Sequence, residues 1–138
     1  TAGLARAQQL AALALGDTDR QVEAENALVA ALTDPAQLKA TTDNGLCHGF
    51  AGLAHIAART ADDAHPSTAG LLRAAIPALL TVLCPPATDP HEAATTIVND
   101  EEGGPGFLNG AAGIALALLA PASATPPRTS WDACLLIA

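Results

Sequence analysis

The sequence predicts an all-α fold in which buried and surface helices alternate. Half of the 138 residues are hydrophobic but only 2% are aromatic, so the core must be built from Ala, Leu, Val and Ile. Helices rich in alanine pack closely yet bury little area each, and many are needed to offset the conformational entropy of the chain. Two further observations predict this fold. A glycine motif recurs before apolar stretches, and buried and amphipathic helices alternate along the chain.

Composition narrows the classes of function. A charged fraction of 14% beside this hydrophobic content argues against disorder. The net charge of -8 and the lack of a basic stripe argue against a nucleic-acid partner. No apolar run approaches the length of a membrane span and no signal peptide opens the chain, so we expect no membrane segment. Three scattered cysteines do not form a disulfide framework, which favours a reducing, cytoplasmic location.

The first forty residues predict three helices. Residues 2–15 are apolar nearly all round, which predicts a buried helix that Gly16 and Asp17 end. Residues 18–32 predict an amphipathic surface helix instead. Its apolar stripe is Val22, Leu28, Val29 and Leu32, and its polar side is Asp19, Arg20, Gln21, Glu23, Glu25 and Asn26. Asp34 and Pro35 then provide an N-cap and a first-turn proline for a short helix that ends near Ala40.

The remaining elements follow from the same signals. A helix is predicted from Gly49 to about Arg59, before a polar break at residues 62–66. Ser67 should cap a helix over residues 68–83, which Pro77 should kink or split. Residues 87–105 predict a long loop with about one helical turn. Residues 110–120 lack polar side chains and predict a wholly buried helix, followed by a proline-rich connection and a short apolar element at 131–138.

Cys47 and His48 are the candidate metal ligands. Adjacent side chains diverge by about 100° on a regular helix, so the two converge on one ion only where the backbone turns. Gly45 and Gly49 permit such a turn. A Cys–His pair suits zinc but supplies only two of the three or four ligands that zinc needs. A cysteine that is simply buried in the core is the alternative interpretation.

For several other residues that could carry function, we favour a structural role. We expect His55 to be a hydrogen-bonded helix histidine, Trp131 to anchor the last segment, and Cys84 and Cys134 to be buried in apolar packing. Asp62 and Asp63 predict a solvated helix end. Residues 99–102 predict a solvated loop, with contact to a leader peptide as the alternative.

The glycine motif is an internal repeat. Gly-x-x-x-Gly-x-Ala-Gly-[Leu/Ile]-Ala occurs at Gly45–Ala54 and again at Gly106–Ala115, and it aligns Cys47 with Leu108 and His48 with Asn109. The second complete copy therefore lacks the ligand chemistry. Residues 1–5 match the end of a further copy, whose ligand-equivalent positions would precede Thr1. Such repeats predict a two-layer helical ring or solenoid with its turn motifs at one end.

These motifs resemble the C-terminal part of the LanC family of lanthionine synthetase cyclases. The matching stretches are residues 45–52, residues 106–116 and Ser130-Trp131-Asp132 before Leu135 and Leu136. The resemblance covers essentially all 138 residues and is closer to stand-alone class I cyclases than to the cyclase domain of larger synthetases. It implies an α/α toroid of seven helical hairpins, of which residues 1–138 would form one C-terminal, incomplete arc of inner and outer helices.

The resemblance also implies a chemistry. Cys47 and His48 would be two of three protein ligands of Zn²⁺ at the mouth of the toroid; the third, and the family's catalytic His and Asp, would lie upstream. No catalytic residue is therefore assigned within residues 1–138. The implied reaction adds peptide Cys thiols to dehydroalanine or dehydrobutyrine to form the thioether rings of lantibiotic-type peptides. The implied partners are a dehydrated lanthipeptide precursor and a lanthipeptide dehydratase. The alternative is a non-catalytic peptide-binding or scaffold remnant of the same fold, which tight zinc binding would distinguish.

Overall fold

The all-α class is confirmed. The computed structural model describes residues 2–101, 103–123, 127, 129–135 and 137. These residues contain helices and no strand. The helices are α1 (Ala2–Leu15), α2 (Thr18–Thr33), α3 (Pro35–Ala40), α4 (Phe50–Asp63), α5 (Pro66–Leu83), α6 (Pro90–Val98) and α7 (Ala111–Ser123), with a 3₁₀ helix at Trp131–Leu135.

Local signals in the sequence set the boundaries of the first helices. Gly16 ends α1 with a positive φ of 68°, a conformation that costs glycine little. The Asp17 side chain caps α2 by accepting a hydrogen bond from the Arg20 N–H. Asp34 caps α3 by accepting from the Ala36 N–H, with Pro35 in the first turn. These boundaries are the predicted ones.

Other boundaries differ from the prediction. Helix α4 continues to Asp63, so the break is shorter than expected, and α5 begins at Pro66 with His65 as its N-cap. The His65 imidazole accepts a hydrogen bond from the Ser67 N–H, so Ser67 lies inside the first turn and is not the cap. Pro77 does not split α5, which runs unbroken to Leu83.

Helix α6 replaces the single turn predicted between residues 87 and 105. It has nine residues, and the Asp89 carboxylate caps it by accepting from the His91 and Glu92 N–H groups. Pro90 occupies its first turn, so α6 begins with the same Asp-Pro signal as α3. Helix α7 also runs longer than predicted, to Ser123.

Helix α4 is the centre of the packing. It contacts α5 most extensively and also contacts α1, α2 and α7, while α1 and α2 pair with each other. One apolar cluster joins α1, α2, α4 and α5, and a second joins α4, α5 and α7 around Leu46. The buried face of α4 consists largely of alanines, which let the neighbouring helices approach closely. The prediction that α4 is a buried helix is confirmed.

The predictions for α1 and α7 are partly wrong. Leu4 and Leu15 of α1 are 64% and 73% exposed, whereas Arg6 and Gln9 on the same helix are fully buried. In α7, Leu119 is 61% exposed. Both helices therefore present an apolar side to solvent in this chain, and α1 buries its polar residues instead.

The buried polar residues of α1 are matched by polar residues of α2. Gln21 and Glu25, which were predicted on the solvated side of α2, are buried. The Gln9 and Gln21 side-chain amides donate to Glu25 Oε1 at 2.8 and 2.7 Å, and the Arg6 guanidinium lies 2.7 Å from the Asp63 carboxylate. Because each buried polar group has a partner on a neighbouring helix, burial does not leave it unpaired. Helix α2 therefore faces two ways, with a polar interface beside its apolar stripe.

One helix meets the length and hydropathy of a short membrane span, contrary to the expectation that no segment approaches it. Helix α5 has 18 residues with a mean hydropathy of 1.4, and 33% of it is buried. A core helix of a soluble protein passes the same test, so this is weak evidence for a membrane-spanning role.

Candidate functional site

The candidate site lies in the loop that enters α4, residues 41–49, here called the first motif loop. The Asp43 carboxylate accepts a hydrogen bond from the Gly45 N–H at 2.9 Å, and its carbonyl accepts from the Phe50 N–H at 3.1 Å. The Gly45 carbonyl accepts from the Gly49 and Gly52 N–H groups. The loop is therefore folded back onto the first turn of α4 and held there by backbone hydrogen bonds.

Glycine is required in this loop by close packing. A Cβ at Gly52 would collide with the Leu46 carbonyl oxygen, and a Cβ at Gly49 would collide with the backbone of Asp43 and Gly45. A Cβ at Gly45 would lie 2.7 Å from the Asn109 Cα. The predicted reason was conformational freedom, but Gly49 has an extended backbone with φ −102°. The glycines make room for neighbouring backbone.

The first motif loop brings Cys47 and His48 together. Cys47 Sγ lies 3.4 Å from His48 Nε2, and both side chains are exposed. Two ligands of a tetrahedral zinc ion with ordinary Zn–S and Zn–N bonds are about 3.6 Å apart, so the pair fits such an ion. Within the described ranges, no group of three or more His, Cys, Asp or Glu side chains could hold a metal. The zinc assignment therefore stays a prediction, with two ligands in place.

A second loop of the same design packs against the first. Residues 103–110, here called the second motif loop, enter α7. The Cys47 N–H donates to the Leu108 carbonyl at 3.0 Å, which joins the two loops. A Cβ at Gly113 would collide with the Phe107 carbonyl oxygen, the same contact that Gly52 makes with Leu46. The repeat in the sequence thus corresponds to a repeated backbone arrangement.

Two open clefts meet at His48. One, of about 330 Å³, extends along α3 and includes Ala2, Leu38 and Leu53 in its lining. The other, of about 280 Å³, lies between the two motif loops and is here called the inter-loop cleft. Its lining includes His48 and Asn109, which are equivalent positions of the repeat. His48 therefore borders an open cleft on each side.

Farther along α4, His55 joins the chain's last described element to the core. It is fully buried, its Nε2 lies 3.1 Å from Asp132 Oδ2, and its ring stacks on Trp131 with centroids 4.7 Å apart. These contacts confirm the predicted roles of His55 as a hydrogen-bonded helix histidine and of Trp131 as an anchor. Arg59 Nε lies 3.0 Å from the same Asp132 oxygen, close enough for an ion pair although its N–H is not aligned with that oxygen.

Burial keeps His55 neutral. Removal from solvent lowers the pKa of His55 below its ordinary value of 6.5; the hydrogen bond and charge of Asp132 oppose this shift, and the Arg59 charge adds to it. A neutral imidazole then donates from Nε2 to the Asp132 carboxylate. Because His55 is enclosed, it has a structural role and does not reach the clefts.

Three other expectations have outcomes in the structure. Cys84 and Cys134 are exposed, so the prediction that they are buried is wrong. Asp62 and Asp63 are exposed as predicted, although Asp63 pairs with the buried Arg6. Residues 99–101 are exposed, in agreement with a solvated loop, while Glu102 lies outside the described residues.

Comparison with known proteins identifies a family. The family model described as lanthionine synthetase C-like protein matches residues 1–136. No curated protein and no solved structure gives a significant match. The match covers nearly the whole chain, including both motif loops and the His55–Asp132 contact.

Proposed function

The chain belongs to the lanthionine synthetase C-like family, and on that premise we propose that it takes part in zinc-dependent thioether formation. The proposed substrate is a dehydrated lanthipeptide precursor, whose Cys thiols add to dehydroalanine or dehydrobutyrine. The observation that supports this function is the exposed Cys47–His48 pair, 3.4 Å apart, beside two open clefts.

The residues of the chain have defined tasks in this proposal. Cys47 and His48 would hold the zinc ion, and the hydrogen bonds of the first motif loop keep their backbone fixed while substrate binds. When bound, zinc would lower the pKa of a coordinated substrate thiol, so that the sulfur is a thiolate near neutral pH. The clefts on either side of His48 would hold the peptide on both sides of its cysteine.

In the proposed reaction, the substrate thiol loses one proton and the α-carbon of the dehydro residue gains one. The thiol loses its proton to solvent, and sulfur forms a bond to the β-carbon of the dehydro residue. The π electrons of the carbon–carbon double bond move toward the adjacent carbonyl as an enolate, and the α-carbon then takes up a proton. His55 does not supply this proton, because it is fully buried. The proton donor is therefore assigned to none of the described residues.

The proposal extends to location and partners. All three cysteines are free and exposed, a state that a reducing cytoplasm maintains. The net charge of -8 favours neutral or basic peptides over acidic ones. A lanthipeptide dehydratase is the proposed source of the dehydrated substrate.

Zinc titration tests the proposal. We expect the wild-type chain to bind one equivalent of zinc in competition with a chromophoric chelator, and Cys47→Ala to bind at least tenfold more weakly because its thiolate is lost. Cys84→Ala is the matched control, since Cys84 is also free and exposed but lies outside the pair. Equal zinc affinity in the wild type and Cys47→Ala would contradict the ligand assignment.

A non-catalytic peptide-binding or scaffold role is the second candidate. The described residues include two candidate zinc ligands and no assigned proton donor, an arrangement that also suits a chain that holds peptide without reacting. This candidate predicts that peptide binds equally well with and without zinc. The cyclase proposal predicts that a cysteine peptide binds more tightly when zinc is present.

A further inference from the structure

We propose that Asn109 is a substrate-binding residue that holds the main chain of the peptide beside the Cys47–His48 pair. This inference rests on the proposed function and adds a residue to it. The ligand is a neutral peptide amide, recognised through its C=O and N–H groups. Asn109 would be a positioning residue, and the ligand pair would be the reacting centre.

The two motif loops place equivalent residues on the same cleft. Asn109 and His48 occupy the same position in the two copies of the glycine motif. Because the copies pack against each other, both residues line the inter-loop cleft. One copy therefore contributes a candidate ligand to the cleft, and the other contributes a carboxamide.

The backbone around Asn109 packs closely against the first motif loop. Its Cα fills the space that a side chain on Gly45 would need, since a Cβ there would lie 2.7 Å away. The preceding carbonyl, that of Leu108, accepts the hydrogen bond from the Cys47 N–H. The Leu108–Asn109 backbone thus packs against the first motif loop at Gly45 and Cys47, so Asn109 has the backbone support that a residue orienting a substrate needs.

The Asn109 carboxamide is available to a ligand in the inter-loop cleft. The two carboxylates of the inter-loop cleft each accept one hydrogen bond from their own loop: Asp43 from the Gly45 N–H and Asp100 from the Gly103 N–H, each at 2.9 Å. Within the described residues, the Asn109 carboxamide makes no hydrogen bond, and it is exposed. A carboxamide both donates and accepts, which matches a peptide group. The neighbouring carboxylates disfavour anionic groups in the same cleft.

The experiment compares two probes on the zinc-loaded chain. The first is 2-mercaptoethanol, which offers a thiol without peptide groups, and the second is the blocked peptide Ac-Gly-Ala-Cys-Ala-Gly-NH₂. We expect Asn109→Ala to bind the peptide roughly two- to tenfold more weakly than wild type, the effect of one neutral hydrogen bond. Binding of 2-mercaptoethanol should not change. Asn26→Ala, another exposed asparagine on α2, is the matched control and should behave as wild type.

The possible results distinguish failure of the Asn109 assignment from failure of the proposed function. If both probes bind and Asn109→Ala weakens neither, the Asn109 assignment is wrong while the proposed function stands. If Asn109→Ala weakens both probes equally, the residue supports the loop and does not contact the main chain, which also overturns the assignment. If neither probe binds the wild-type chain, the proposed function fails and the inference fails with it. Thermal unfolding of Asn109→Ala checks that the variant is folded.

Discussion

The two motif loops have the same backbone and different chemistry. In each, a glycine of the following helix lies directly under a carbonyl of the loop, Gly52 under Leu46 and Gly113 under Phe107. At the two positions that precede the last glycine of each loop, the first loop has Cys47 and His48 and the second has Leu108 and Asn109. All four of these side chains are exposed. The glycines therefore determine the shape of the loop, and the exposed pair is free to carry chemistry.

The helices that follow the two loops differ as well. Helix α4 lies at the centre of the packing and carries the buried His55, whereas α7 has Leu116 at the equivalent position. His55 ties α4 to Asp132 and Trp131. The first copy thus has both the candidate ligands and a polar anchor, and the second has neither.

Substitutions of the glycines that both motif loops share should have the largest effect on stability. Gly52→Val and Gly113→Val each place a side chain against a backbone carbonyl that has no room to move, so each should destabilise the fold by about 3 kcal/mol. Urea denaturation monitored by circular dichroism measures the loss. Gly70→Val is the control, because a Cβ at Gly70 meets no atom within 4 Å. If Gly52→Val were as stable as Gly70→Val, the packing role of the motif glycine would be wrong.

Replacing His55 by leucine, the residue at the equivalent position of the second copy, should have an intermediate effect on stability. His55→Leu removes the hydrogen bond to Asp132 and should cost about 1–2 kcal/mol at pH 7.5, as measured by urea denaturation.

The same variant tests the protonation state of His55. Because the pKa of His55 is lowered in the folded state, the unfolded chain takes up the proton first as the pH falls below 6.5. This contribution to stability is therefore present above pH 6.5 and is lost as the pH falls further. The loss should be absent in His55→Leu and unchanged in His91→Leu, whose histidine is exposed on α6. An identical pH profile for wild type and His55→Leu would contradict a neutral, buried His55.

Exchanging the exposed pair should have the smallest effect on stability. The double variant C47L/H48N gives these two positions of the first loop the residues of the second. Since both positions are exposed, the free energy of unfolding should change by about 0.5 kcal/mol or less, while zinc binding is lost. A large loss of stability in the absence of metal would show that the Cys–His pair also shapes the loop.

The local signals of the sequence predicted the helices well, because they act within a few residues. Asp17, Asp34 and Gly16 set helix ends through contacts with their own neighbours. Helix α6 was missed as a full helix, although Asp89-Pro90 repeats the signal that was used at Asp34-Pro35. A second use of the same rule would have found it.

The facing of the helices was harder to predict, because it depends on residues distant in sequence. The polar side of α2 was predicted to be solvated, yet Glu25 is buried and accepts a hydrogen bond from Gln9 of α1. Periodicity identifies a polar face but does not reveal whether a neighbouring helix supplies polar side chains that bond to it. The proximity of the Cys47 and His48 side chains could be predicted because the two residues are neighbours in sequence. The position of Asn109 beside them could not, because it depends on contact between the two motif loops.

The hydrogen bond from Cys47 to Leu108 has a consequence for the order of events during biosynthesis. It joins residues from the middle and the last third of the chain, so the first motif loop lacks this support until the second loop has left the ribosome. Until then the Cys–His dipeptide belongs to an open segment, and holding it in one geometry costs conformational entropy. The zinc binding proposed above would accordingly follow translation of the second loop.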